Sequence, residues 1–143
     1  SAIQVDCADS ILLIAPANPL IEQVGSASTE QFRQRITWTG DRNCYVGVTN
    51  FWSIKSTGAE ASAESMTLDA WRSHWRTSES IIATSVQWKQ LPPAERAAST
   101  HLPSDYSLDE ASPQNPPRKA AHDGRDAGMD ASRLPKLMKN DER

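Results

Sequence analysis

Carboxylates are the first candidates for chemistry in this chain, because two pairs of charged residues lie close together in its first third. Asp6 and Asp9 form one pair, and Asp41 and Arg42 form the other. A calcium ion that assists catalysis needs several carboxylate or other oxygen ligands close together. Neither pair is joined by a third carboxylate at a matching spacing. We therefore expect these residues to serve in turns and caps.

Three further carboxylates, Asp123, Asp126 and Asp130, could supply oxygen ligands to a hard cation. They lack the Asp-x-Asp-x-Asp-Gly spacing of an EF-hand. Gly124 and Gly128 instead favour turns in which Asp side chains accept hydrogen bonds from backbone N–H groups. We predict an ordered turn over residues 123–128, seated on Tyr106 and Leu108, and no metal ligand.

Histidine and serine residues are scattered along the chain. None of them stands in a zinc, nucleophile-elbow or protein-kinase motif. The residues concerned are His74, His101, His122, Ser53, Ser56 and Ser107. We therefore predict that this segment has no catalytic residue, no metal and no cofactor.

The aromatic residues are the strongest candidates for ligand contact, since exposed Trp and Tyr rings form platforms for sugars. The candidate ligand-binding residues on this basis are Trp38, Tyr45, Trp52 and Trp88. Packing in a core is the commoner role of such rings.

Composition limits the kinds of partner. The net charge is −3 and the pI is about 5.6, and no basic stripe is present, so we expect no nucleic-acid partner. No apolar run approaches the roughly 20 residues of a membrane helix, so we expect no membrane contact from this segment. Cys7 and Cys44 leave open either one disulfide or two buried thiols in strands.

The elements that would position these residues are mostly strands. Short runs rich in Ile, Val, Leu and aromatics, separated by turn residues, predict strands over 2–6, 10–15, 19–24, 33–38 and 44–49. Their spacing of about ten residues is compatible with sandwiches, barrels and solenoids. We expect Ile11, Leu13, Ile36, Trp38 and Val46 to be buried.

One helix is predicted near residues 67–76, where Thr67 is a suitable N-cap and Leu68, Trp71 and Trp75 share one face. The preceding stretch, residues 58–64, is predicted to be a loop. After Trp88, frequent prolines leave room only for a helical turn over 93–98 and a short strand over 106–108.

Several motifs follow one another in a definite order. They are Gly40-Asp41-Arg42-Asn43-Cys44-Tyr45, Asn50-Phe51-Trp52, Leu68-Asp69-Ala70-Trp71, Ser78-Glu79-Ser80-Ile81, Asp105-Tyr106-Ser107-Leu108 with Ser112-Pro113, and Asp123-Gly124-Arg125-Asp126-Ala127-Gly128. This order resembles the closing segment of right-handed parallel β-helix proteins of the pectate-lyase-like class. The version here is similar to that in large planctomycete proteins, some of which carry a serine/threonine kinase domain upstream. The resemblance covers about residues 36–135.

The resemblance implies an all-β fold: the C-terminal coils of a right-handed parallel β-helix, with one short α-helix and an irregular proline-rich tail. Residues 1–108 would form the β-helix-like domain and residues 109–143 an irregular capping tail, with order fading after about Leu134. A solenoid needs such a cap because its last coil exposes apolar side chains and an open edge.

The function expected from these observations is that of a non-catalytic structural or binding module. It would lie at the C-terminus of a larger bacterial protein, with a serine/threonine protein kinase as one candidate. Its partners would be upstream domains of the same polypeptide and a carbohydrate or protein ligand, and an extracytoplasmic or cell-surface location is favoured. The alternative is part of a polysaccharide lyase or hydrolase whose site is completed by upstream coils.

Overall fold

Strands dominate the part of the chain that the computed structural model describes, namely residues 2–15, 17–58, 61–77, 79, 82–83, 85–91 and 102–128. The strands are β1 (Ile3–Ala8), β2 (Ile11–Leu13), β3 (Ile21–Gly25), β4 (Ile36–Asp41), β5 (Cys44–Val46), β6 (Trp52–Ser56), β7 (Ser62–Met66) and β8 (Ile82–Ala83). The helices are α1 (Thr29–Arg33), α2 (Leu68–Trp75) and a 3₁₀ turn at Pro103–Tyr106.

The first six strands form two tiers that pair in parallel. The first tier is β1, β2 and β3, and the second tier is β4, β5 and β6. Each strand of the first tier pairs with the corresponding strand of the second, so Ile3 lies opposite Ile36, Ile11 opposite Cys44, and Ile21 opposite Trp52. Strands of adjacent tiers are therefore separated by 31–33 residues of chain. Parallel pairing requires long connections of this kind, because the chain must return to the same end before it pairs again.

Side chains alternate along these strands, and the inward set forms the main core. In β4, Ile36 and Trp38 point inward and are 8% and 7% exposed. In β6, Trp52 and Ile54 are almost fully buried. The core also contains Phe32, Tyr45, Phe51, Met66 and Trp71. These aromatic rings bury large apolar surfaces, so they contribute strongly to the stability of the core.

The far side of the second tier is covered by the residues that follow it. Strand β7 pairs antiparallel with the free edge of β6, and β8 pairs in parallel with β5. Helix α2 lies against β4 and β7. Its Trp71 is fully buried and contacts the rings of Trp38, Phe51 and Trp52. The prediction that the Trp-bearing face of this helix covers the core is confirmed.

A second apolar cluster lies on the outer face of β2 and β5. Cys44 and Val46 are buried there against Val86, with Ile11, Trp88 and Leu108 packed around them. The chain after Val86 is held to this face by backbone and side-chain hydrogen bonds. The amide of Gly128, for example, donates to the carbonyl of Asp9 at 2.6 Å. The same part of the chain is also bonded to itself: the buried Asn115 side chain donates to and accepts from the backbone of Gln87, at 2.6 and 3.0 Å. Because both faces of β5 are covered, all three of its residues are buried.

Several local predictions differ from the structure. Leu13 is 52% exposed, because Leu12 takes the inward position and the outer cluster does not extend over Leu13. The stretch predicted as a loop contains most of β7, which is stabilised by pairing with β6. Tyr106 ends the 3₁₀ turn, and Leu108 makes a single antiparallel bridge with Trp88 in place of a strand. The predicted turn over 93–98 lies outside the described residues, as do residues 129–143.

The predicted all-β class is confirmed. Strands predominate in the described ranges, and one helix there has seven or more residues. The helix predicted near residues 67–76 is α2, with Thr67 as its N-cap and Arg76 as a left-handed C-cap. No helix within the described residues is long and apolar enough to cross a membrane.

Candidate functional site

A buried polar cluster lies beneath the corners where β1 turns into β2 and β4 turns into β5. Asp9 and Arg42 occupy equivalent corner positions in the two tiers, and both have left-handed backbone conformations, with φ of 52° and 51°. The amide of Asp9 donates to the carbonyl of Asp41 at 3.0 Å, so the two corners stack directly on each other. Asn43 follows the second corner and points into the space between the tiers.

The Asn43 side chain connects the two tiers and the segment that follows α2. Its Nδ2 donates to the carbonyl of Cys7 and to Oε1 of Glu79, both at 2.7 Å. Its Oδ1 accepts from the amide of Ser10 at 3.1 Å and from the thiol of Cys7 at 3.5 Å. The hydrogen-bonding capacity of this fully buried amide is therefore fully used, which is the condition for burying it at low cost.

Glu79, from the segment that follows α2, completes the buried polar cluster. Glu79 is 5% exposed, and its carboxylate accepts from the Tyr45 hydroxyl at 2.6 Å as well as from Asn43. Arg72 donates to the main-chain carbonyl of Glu79 from helix α2. Gly40 leaves the space for the carboxylate, because a Cβ built at residue 40 would lie 1.8 Å from Oε1 of Glu79.

The chemistry available to this cluster is limited by its burial. A carboxylate, a phenol and a thiol are groups used in acid–base and nucleophilic catalysis. Burial and the neighbouring Glu79 carboxylate raise the pKa of the Tyr45 phenol, so the phenol stays protonated and acts as a donor. Tyr45, Asn43 and Glu79 are between 0% and 5% exposed, and substrate atoms have no access to them in this conformation. The hydrogen bonds of this cluster therefore link the first tier, the second tier and the segment that follows α2.

The outer side of the same corner carries an ion pair. The Nδ1 atom of His122 contacts Oδ2 of Asp9, and the amide of His122 donates to Oδ1 of Asp9 at 2.9 Å. Hydrogen bonding to His122 lowers the pKa of the Asp9 carboxyl, and the Asp9 carboxylate in turn raises the pKa of the His122 imidazole. Arg42 contributes to this corner by donating to the carbonyl of Ala121 at 3.3 Å.

The aromatic residues proposed as a sugar platform are placed differently from that expectation. Trp38, Tyr45 and Trp52 are 7%, 1% and 0% exposed and lie in the core, so they form no exposed platform. Trp88 is half-buried and makes an edge-to-face contact with Tyr106 at 6.1 Å between ring centroids. Strand alternation directed the first three rings inward, and only Trp88 of the four remains at the surface.

Four of the carboxylates considered for a metal or a lyase site are engaged in hydrogen bonds. Asp6 accepts from Gln4, and Asp9 accepts from His122. Asp123 accepts from the amide of Arg125 at 3.0 Å, and Asp126 from the amide of Lys119 at 2.9 Å. Among the described residues, no group of three His, Cys, Asp or Glu has the geometry to hold a metal ion. Asp130 and His101 lie outside those residues.

The turn predicted over residues 123–128 is present, and both of its glycines have positive φ, 76° at Gly124 and 97° at Gly128. The structure shows one seat of this turn that the sequence did not predict. Gly128 packs on the side chain of Ile11, whereas Tyr106 packs on Trp88. The two cysteines are not joined in a disulfide, because Cys7 packs against the main core and Cys44 lies in the outer cluster.

His74 is the other histidine within the described residues. It is exposed on α2 and lies edge-on to Trp75 and Trp52, at 4.4 and 5.4 Å between ring centroids. Partial burial against these rings and the charge of Arg33 lower the pKa of its imidazole. Trp75 stacks nearly parallel on Trp52, so the predicted helix face is part of this aromatic group.

Some features of the site were missed from the sequence. The contacts of Asn43 with Glu79 and of Asp9 with His122 join residues far apart in the chain, and no local pattern reports them. Helix α1 was also missed, although Ser28 and Gln31 form a capping box that marks its start.

Comparisons with known proteins found no protein similar to this chain. No family model, no curated protein and no solved structure matches this chain. Its function must therefore be inferred from its own residues.

Proposed function

We propose that this chain is the terminal part of a right-handed parallel β-helix and serves as a non-catalytic structural or binding module of a larger protein. The resemblance of its motifs to the closing segments of pectate-lyase-like proteins supports this proposal. The parallel pairing of two tiers at a spacing of 31–33 residues also supports it.

The observation that carries the proposal is the difference in burial between the two tiers. Inward residues of the second tier are buried, whereas their partners in the first tier are half-exposed. Leu12 is half-exposed opposite fully buried Tyr45, and Ile21 is half-exposed opposite fully buried Trp52. A self-contained core would cover both tiers alike, because uncovered apolar side chains lose hydrophobic stabilisation.

The backbone shows the same asymmetry. Among the described residues, β1, β2 and β3 each have a strand neighbour on one side only. In the second tier, β5 and β6 have neighbours on both sides, and β4 pairs with β1 alone. The unpaired edges of β1, β2 and β3 lie at the same end of the stack, and their free backbone groups can pair with further strands. We infer that additional coils of the same polypeptide continue the stack from the first tier, in parallel and at a similar spacing.

The experiment compares the 143-residue chain with a version extended by the residues that its gene encodes directly before Ser1. The amides of β1, β2 and β3 that are not bonded to the second tier should exchange slowly with deuterium only in the extended chain. Unchanged exchange in the extended chain would contradict the proposal. A gene that encodes nothing before Ser1 except an initiator methionine would contradict it as well.

A matched pair of variants tests which face receives the added coil. Leu12→Lys places a charge on the inward side of β2, and Leu13→Lys places it on the exposed outward side of the same strand. We expect Leu12→Lys to lower the melting temperature more in the extended chain than in the 143-residue chain. Only in the extended chain would the side chain at residue 12 be shielded from water by a further coil. Leu13→Lys should have the same small effect in both.

The alternative function, part of a polysaccharide lyase or hydrolase, would require upstream coils to supply the reacting groups. The carboxylates that this chain could contribute, Asp6 and Asp9, are bonded to Gln4 and His122. A carbohydrate or protein ligand for the module remains a proposal from the sequence. Trp88, which contacts Tyr106, is the member of the predicted aromatic set that lies at the surface.

A further inference from the structure

Residues 117–128 form a strap that crosses the outer face of β2. The strap is folded on itself by backbone hydrogen bonds from Ala121 to Arg125 at 3.0 Å and from Ala127 to Pro117 at 2.7 Å. Its inward side is apolar, with Pro117, Ala121 and Ala127 buried. Gly128 lies so close to Ile11 that a Cβ at residue 128 would be 3.0 Å from Cδ1 of Ile11.

A group of contacts that we call the clasp holds the strap to the two corners. It consists of Asp9, Arg42, Ala121, His122 and Gly128. Asp9 provides three of its contacts. Its carbonyl accepts from the amide of Gly128 at 2.6 Å, and its carboxylate accepts from the amide and contacts the imidazole of His122. Arg42 adds the bond to the carbonyl of Ala121.

We propose that the clasp is a pH-dependent fastening, in which protonation of His122 tightens the strap over β2 and deprotonation loosens it. The imidazole contacts Asp9 directly, and the His122 side chain is 72% exposed, so protons reach it freely. The other charged groups that face this imidazole are Arg42 from the second corner and Asp123 from the strap itself. Asp123 is in turn paired with Arg125 at 3.4 Å.

The direction of the pH effect follows from the pKa shifts of His122 and Asp9. The pKa of His122 is raised above its ordinary value of 6.5, so its contribution is full below that pH and is lost as the pH rises through the raised value. The pKa of Asp9 is lowered below its ordinary 3.8, so its contribution is full above that pH and is lost as the pH falls through the lowered value. The clasp is therefore tightest in mildly acidic solution.

Loosening at alkaline pH is partial, because the amides of His122 and Gly128 donate to Asp9 in both protonation states. An exposed ion pair is also weakened by solvent and salt. The consequence for the molecule is local. The outer face of β2, including Ile11, is covered more firmly at mildly acidic pH and opens more often at alkaline pH.

The test measures the hydrogen-exchange protection factor of the Gly128 amide in the full chain between about pH 5.5 and 8.5, the range over which a histidine changes charge. We expect the protection factor to fall severalfold across this range in the wild type and to stay flat in His122→Gln. His74→Gln removes a histidine elsewhere and should leave the fall unchanged. A flat wild-type profile, or an equal fall in His122→Gln, would overturn the proposal.

A second measurement follows the imidazole itself by NMR. The His122 resonance should titrate above the ordinary range, and Asp9→Asn should bring its midpoint down. Asn tolerates the left-handed conformation at residue 9, so this variant removes the charge and retains the corner. An unchanged midpoint in Asp9→Asn would show that the pair does not sense pH in the proposed way.

Discussion

Gly40 illustrates how closely single residues are fitted around the buried carboxylate of Glu79. The residue has no Cβ, and both Glu79 and the indole of Trp38 occupy the space that a Cβ would need, at 1.8 and 2.5 Å. Glu79 accepts hydrogen bonds from two other buried groups, Asn43 and Tyr45. A displacement of this carboxylate would therefore leave buried donors without partners.

We predict that Gly40→Ala lowers the free energy of unfolding by about 3–5 kcal/mol, because overpacking and the loss of buried hydrogen bonds act together. Gly124→Ala is the control. It has positive φ but no atom within 4 Å of the added Cβ, so we expect about 1–2 kcal/mol from backbone strain alone. Chemical denaturation measures both. Equal losses would show that Gly40 is not tightly packed.

Helix α2 is the element that depends most on a single side chain. Trp71 is fully buried and contacts Trp38, Phe51, Trp52 and Trp75, with ring centroids 5.3 to 6.2 Å apart. The N-cap Thr67 and the left-handed C-cap Arg76 determine where the helix begins and ends. Its position on the core is determined by the buried tryptophan.

We predict that Trp71→Ala lowers the free energy of unfolding by about 3–5 kcal/mol, the cost of truncating a large aromatic side chain in a core. Ser73→Ala on the exposed side of the same helix should change it by less than about 0.5 kcal/mol. Thermal or denaturant unfolding distinguishes the two. A Trp71→Ala variant as stable as the wild type would mean that the helix is peripheral to the core.

For the whole molecule, the prediction concerns activity. We expect the 143-residue chain to hydrolyse neither ATP nor pectin-like or sulfated polysaccharides, because its buried Glu79, Tyr45 and Asn43 are bonded to one another away from solvent. Assays of phosphate release and of new reducing or unsaturated ends check this. Turnover that is abolished by Asp41→Asn and retained in Asp69→Asn would contradict it.

The sequence by itself determined the local elements whose signals are contiguous. Thr67 and the spacing of Leu68, Trp71 and Trp75 predicted α2, and Gly124 and Gly128 predicted a turn with positive φ. Alternation in β4 predicted that Ile36 and Trp38 share the buried face. These features depend on neighbours within a few residues, so composition and periodicity suffice to find them.

Only the tertiary structure decided which polar groups meet and which apolar ones stay exposed. Glu79 reaches Asn43 and His122 reaches Asp9 because parallel tiers bring together residues separated by tens of positions. Leu13 is exposed and Tyr45 is buried although both lie in short apolar strands, since burial depends on what packs over each face. Pairing with β6 likewise made a strand of residues whose own propensities indicated a loop.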